Sequence, residues 1–295
     1  MISVALLVLS ISDCAGATAV PVSTPILTPP WMRSSTPTDD LPIPFPTSTM
    51  TTTPSLAPSL TSTPLSHVHN TPMTLMLHPN SNVFDAAAFL KGFIALLEDN
   101  DIKVITYQDI TKDLDITARE QGKLAIITID DIYLQGRLNS SVEEMISMLL
   151  DAKYPAVLGV VTQGSAANDE TVEEFKRLSK EGWEIATHTD THPYLGELEK
   201  SSPTLVSLEV RTSLEKIESA IGVRPITLIL PYGQNVYDMR LLSDEGIKWV
   251  VGIDLGNSYD IGQDIYYVGR AGPGSTPEMT FKGMMIRFNP NLPVP

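Results

Sequence analysis

Cysteine, histidine and positive charge are all scarce in this chain. Cys14 is the one cysteine in 295 residues. It supports neither a disulfide framework nor a two-cysteine metal knuckle, so any metal would rest on carboxylates and histidines. There are five histidines. With 20 Lys and Arg against 35 Asp and Glu, the formal net charge is -15. A nucleic-acid backbone or an anionic membrane surface repels such a chain, and a neutral or cationic partner fits it better. No Gly-x-Gly-x-x-Gly follows the first strand-like segments, which argues against an open dinucleotide-binding sheet. No internal repeat is visible.

The N-terminus lacks a basic residue ahead of its apolar run. MISVALLVLSISDCAGATA is otherwise the outline of a secretory signal or anchor segment over 1–17, too short to span a bilayer. Cys14 stands where a lipidated cysteine would stand, although Asp13 is a poor residue before it. A plain cleaved or uncleaved N-terminus is the other reading. Residues 18–72 are Ser, Thr and Pro with only Arg33, Asp39 and Asp40 charged. A stretch so poor in apolar residues cannot offset its ordering entropy, so a disordered, partly polyproline linker is expected. At ~3 Å per residue, about 55 residues extend on the order of 150 Å, enough to serve as a stalk. An unselected low-complexity leader is the alternative.

From residue 73 to 295 the pattern is that of one folded domain. Strands are predicted at TLMLH (74–78), KVITY (103–107), KLAIITI (123–129), PAVLGVV, WEIAT, ITLIL and IKWVVGI. Helical spacing appears over 83–98, in SVEEMISMLLDAKY, in NDETVEEFKRLSKEG with Asn168 or Asp169 as cap, in LVSLEVRTSLEKIESAIG closed by Gly222, and around 237–245. Strands alternating with helices predict an α/β fold, a β/α barrel that is distorted or incomplete.

In parallel β/α folds reactive side chains gather where strands end. Three ends stand out: Asp130-Asp131, His188-Thr-Asp-Thr-His192, and Pro231-Tyr232-Gly233. Each has a bland reading, as a helix cap, a polar turn and a tight turn respectively. Together they supply two imidazoles and carboxylates, the donor set of a divalent site that leaves positions open for water and substrate.

The order TIDD, HTDTH, LPYG resembles the polysaccharide deacetylase family of the NodB-homology type, over about 73–270. The lead-in MLHP to YQDI is similar to the branch that includes poly-N-acetylglucosamine deacetylases. The resemblance implies that Asp131, His188 and His192 hold a divalent metal, usually zinc, and that Asp130 is the general base. It also implies that the backbone N–H of Tyr232 receives the oxyanion, with Pro231 and Gly233 shaping that turn against the substrate. The activity implied is metal-dependent hydrolysis of N-acetyl groups on N-acetylglucosamine-containing polysaccharide of a cell wall or exopolysaccharide. The expected protein is secreted or at the cell surface, with a membrane tether through its N-terminus.

Several positions depart from the family pattern. Ile132 replaces a Gly after the Asp pair, and Ile229 replaces an Arg that pairs with the base. No histidine follows His192, where many members carry the one that protonates the leaving amine. Arg270 either supplies the missing charge and meets the substrate, or is a solvated strand-end arginine. His78 either faces the site or is structural. Tyr194 either stacks on a sugar ring or belongs to the core or site wall, as Trp183 and Trp249 do. These gaps motivate an alternative reading, a catalytically impaired carbohydrate-binding or wall-associated protein, and a third, a hydrolase of small amides or esters.

Overall fold

A strand made almost wholly of apolar residues is covered on both faces, and LAIITI at 124–129 is buried in this way in the computed structural model. The elements are β1 (Met73–Leu77), α1 (Ala86–Asp99), β2 (Lys103–Val104), α2 (Tyr107–Lys112), α3 (Ile116–Arg119), β3 (Leu124–Tyr133), α4 (Ser140–Asp151), β4 (Val157–Val161) and α5 (Asp169–Lys180). They continue with β5 (Glu184–Thr187), α6 (Leu195–Ser201), α7 (Pro203–Ile221), β6 (Thr227–Ile229), α8 (Arg240–Ser243), β7 (Trp249–Val251), β8 (Ser258–Gly262), β9 (Ile265–Val268) and α9 (Pro277–Phe288). Residues 72–80, 84–120, 122–164, 166–255, 258–262 and 264–288 are described. The segment expected at 1–17, with Cys14, and the linker up to residue 71, with His67 and His69, lie outside them. No helix among the described residues is long and apolar enough to cross a membrane.

The sheet order is β1-β3-β4-β5-β6-β7-β9-β8, with β2 beside the start of β3. Every pairing is parallel except β8 with β9. The sheet curls until its ends meet: Leu75 of β1 forms a parallel bridge with Ala271, just past β9. Met76 N–H donates to Ala271 O and Ala271 N–H to Thr74 O, both at 2.8 Å. Seven parallel strands, with the short β2 beside β3 as an eighth, thus form a distorted barrel among the described residues, and this one bridge is its seam.

Side chains of β3 alternate between two cores, as a pleated strand requires. Leu124 and Ile126 point inward with Ile229, Trp249, Val251 and Val268, and Tyr107 and Ile110 of α2 close the floor. Ala125, Ile127 and Ile129 point outward to α1, α4 and α9. A third apolar cluster joins α6, α7 and α8 to β6 and β7.

Three expectations are corrected. The strand expected at KVITY is only two residues long, because Thr106 and Asp109 form a capping box that starts α2 at Tyr107. The helix expected over 237–245 is one turn, Arg240–Ser243. Ile132, beyond the end of the strand expected at 123–129, lies inside β3 and is buried.

Candidate metal centre and active site

Asp130 and Asp131 do not follow a strand; they interrupt one. Ile129 pairs with Leu158 and Ile132 with Val160, so β3 carries one residue more than β4 across this step. That is a β-bulge, a device that re-aims side chains. Neighbouring residues of a regular strand face opposite sides, yet here both carboxylates reach the barrel mouth. Asp131 takes the left-handed conformation, φ 58°, that permits this. Of the seven non-glycine residues with positive φ among those described, Asp131, Thr189, His192 and Tyr232 are all at this mouth. Backbone strain of this kind persists where the surroundings over-determine it, and it gathers at functional sites.

His188 is buried, and its Nδ1 lies 2.8 Å from the carbonyl oxygen of Ile229. A carbonyl only accepts, so Nδ1 carries the proton and Nε2 presents a lone pair. That Nε2 stands 3.4 Å from Asp131 Oδ1 and 3.1 Å from His192 Nε2, and His192 Nε2 stands 3.3 Å from the same Oδ1. Three ligand atoms ~2.0–2.1 Å from one tetrahedral ion would be about 3.3 Å apart. The triangle therefore fits a divalent cation, and it is the group of three found among the described residues. With a proton on Nε2 instead, His188 first and then His192 would hydrogen-bond Asp131 and hold its carboxyl far below the usual range.

Asp130 and Arg270 are each 1% exposed. Arg270 Nη1 donates to Asp130 Oδ1 at 2.8 Å and to Thr128 Oγ1 at 2.7 Å, and its Nε donates to Gly252 O at 3.0 Å. Burial alone would raise the Asp130 pKa, but the Arg270 guanidinium, by its charge and its hydrogen bond, is the main influence bringing it below the normal value. Arg270 thus sits behind Asp130, where it occupies one carboxylate oxygen, and it also borders the pocket. His78, at the end of β1, places Nε2 3.9 Å from Asp130 Oδ2 and 3.8 Å from Asp131 Oδ2, with its side chain half exposed.

The Pro231–Gly233 turn forms the opposite wall, with Tyr232 at φ 55°. Pro231 is buried and shapes the turn without facing the pocket. Gly233 is required twice over: its φ is +66°, and a Cβ would lie 2.3 Å from Ile253 Cγ1. The Tyr232 ring meets His192 edge-on at 4.6 Å and stacks on Tyr194 at 3.9 Å. Both tyrosines are about half exposed, so Tyr194 belongs to the rim and not to the core. Trp183 and Trp249 are buried in the core. The pocket so formed holds about 240 Å³. A larger cleft between α4 and α5, lined by Arg137, Glu143, Glu170 and Arg177, lies apart from this chemistry.

The family model for polysaccharide deacetylases matches residues 117–248. The matched segment is thus similar to that family. It carries Asp130, Asp131, His188, His192 and Tyr232, while His78 and Arg270 fall outside it. Solved polysaccharide deacetylases and related enzymes share the fold. The Streptococcus pyogenes deacetylase PplD, in complex with acetate, superposes with a TM-score of 0.59 at 19% identity, covering 72% of this chain and 97% of that one. IcaB from Ammonifex degensii gives 0.57 at 16% identity, covering 74% and 97%. A de-N-acetylase from Aggregatibacter actinomycetemcomitans gives 0.54 at 19% identity, covering 70% and 98%. No curated protein sequence matches the chain.

Proposed function

We propose that this chain is a metal-dependent N-deacetylase acting on N-acetylglucosamine units of a cell-wall or extracellular polysaccharide. The observation that carries this reading is the Asp131, His188 and His192 triangle with Asp130 and His78 on its open side. Zinc is the ion we assign, since imidazole and carboxylate donors in a tetrahedral arrangement suit it. When bound, it supplies a Lewis acid that polarises the acetamide carbonyl and acidifies water.

The protein's own groups do the rest. Arg270 engages Oδ1 of Asp130, which leaves Oδ2 to accept the proton of the attacking water. The C–N bond breaks only if the amine leaves protonated, and Nε2 of His78 is the donor across the mouth. The backbone N–H of Tyr232 stabilises the oxyanion. Water and the N-acetyl group become acetate and a free amine. We assign His78 and Arg270 to the two roles whose usual residues are missing, which favours the enzyme over a binding-only reading. The rim tyrosines suit a sugar face. In this proposal the domain works outside the cell, at the surface or secreted.

Metal content and acetate release from chitooligosaccharides and peptidoglycan test this for the wild type, Asp130→Asn and His188→Ala. Acetate release that falls in both variants is expected. Undiminished release in both would overturn it, and glycan binding without release at any pH would favour the binding protein.

A further inference from the structure

The loop that carries both histidines is held from behind by one stripe of α7. Lys216 Nζ donates to Asp190 Oδ1 at 2.7 Å, to Thr162 O at 3.0 Å and to Gly164 O at 2.9 Å. Asp190 Oδ1 also accepts from Thr162 Oγ1 at 2.7 Å. Ser213 Oγ accepts from Thr187 Oγ1 at 2.7 Å. Glu209 Oε1 accepts from the backbone N–H of Thr191. Positions 209, 213 and 216 follow the i, i+4, i+7 spacing of one helix face. Their contacts fall at 187, 190 and 191, on either side of His188 and just ahead of His192.

This loop needs such support. Thr189 and His192 are left-handed, at φ 68° and 58°. That conformation is an outlier for a β-branched or bulky residue. The loop's own bonds, from Thr189 N–H to Thr187 Oγ1 and from His192 N–H to Thr189 Oγ1, are both 3.1 Å long. An ordinary surface ion pair contributes little, but Lys216 binds three oxygens from two loops at once.

We propose that Lys216, acting through Asp190, is a positioning residue for the metal centre. It does not touch the ion; it fixes the loop so that both Nε2 atoms converge on Asp131 Oδ1. This rests on the reading of that cluster as a metal site.

The test is titration of the full-length apoprotein with Co²⁺, followed by its visible absorption band and dissociation constant. Losing an outer-shell partner typically costs about 10- to 100-fold in metal affinity. Lys216→Met should show that loss with an altered band. Asp190→Asn should do the same, and the double variant should be no weaker than the worse single one, because the two act on one path. Arg224→Met, which removes an exposed ion pair with Glu218 elsewhere on the surface, should bind as the wild type does. If Lys216→Met fails to fold, the near-isosteric Asp190→Asn decides by the same readout. Wild-type affinity and band in the folded variant would overturn this proposal alone. A wild type that binds no Co²⁺ would overturn the metal reading beneath it.

Discussion

Asp130 and Glu184 are buried at opposite ends of the barrel, and their acidities move in opposite directions. At the mouth, Asp130 is drawn below its normal pKa against its desolvation, chiefly by the charge and hydrogen bond of Arg270. At the floor, Glu184 begins β5 with Thr227 Oγ1 donating to it at 2.5 Å and Gln108 N–H at 2.9 Å, and no cation is among the causes of its shift. Burial pushes Glu184 up to about 7 despite those two bonds. Depth is the same; the partner decides. A hydroxyl and an amide satisfy a carboxyl group, but only a cation keeps it charged in a dry interior. The mouth thereby maintains an anion ready to take a proton, while the floor uses a carboxyl to tie α2 across the barrel.

The same amide substitution should separate the two ends. Asp130→Asn is expected to lower acetate release by about 10²- to 10⁴-fold, as loss of a general base does; steady-state assay on chitooligosaccharide measures it. Arg270→Gln leaves Asp130 buried without its cation and should cost about 3–5 kcal/mol of stability, read from urea midpoints at pH 7. It should also move the acid limb of the pH–rate profile upward, since Asp130 loses what lowers its pKa.

Glu184→Gln should stabilise. The native carboxyl keeps its proton to about pH 7, whereas the unfolded one releases it near 4.5. The native state therefore binds more protons within that window, so wild-type stability falls as pH rises through it and levels off above. The variant should lack that decline and be more stable by up to roughly 3 kcal/mol at pH 8, with little difference at pH 4. Parallel stability curves for variant and wild type would contradict the assignment. The smallest effect is expected at the rim, where Tyr194→Ala removes one stacking face worth about 0.5–1.5 kcal/mol. That corresponds to a rise in KM of about two- to tenfold with kcat little changed.

The mouth was legible in the sequence where its residues sit close together along the chain. Asp130-Asp131, His188 with His192, and the Pro-Tyr-Gly turn each read as a local pattern, and their strands β3, β5 and β6 fall in one parallel run with β4 between the first two. Arg270 and His78 were harder to read. Arg270 meets Asp130 across 140 residues, and nothing local distinguishes an arginine that will be buried from a solvated one. The bulge was hidden because an apolar run that stops at Ile129 looks like a strand that ends there. The misplaced strand at KVITY is a different case: β-branched residues argued for extension, but the Thr106 and Asp109 capping pair was in plain view and marked a helix start. The floor carboxyl gave no signal, since Glu184 sits next to Trp183 as any strand-edge glutamate might.

The barrel closes through a single bridge, and His78 and Arg270 stand on its two sides. The first strand of the described fold ends at one and the last parallel strand leads to the other, both directed at Asp130. A chain still emerging from the ribosome, or one trimmed by a protease before Arg270, would hold its two histidines and Asp131 yet lack the cation that keeps Asp130 charged. The Asp131, His188 and His192 triangle and the charge on Asp130 thus depend on different stretches of the chain, and only the second needs both sides of the seam.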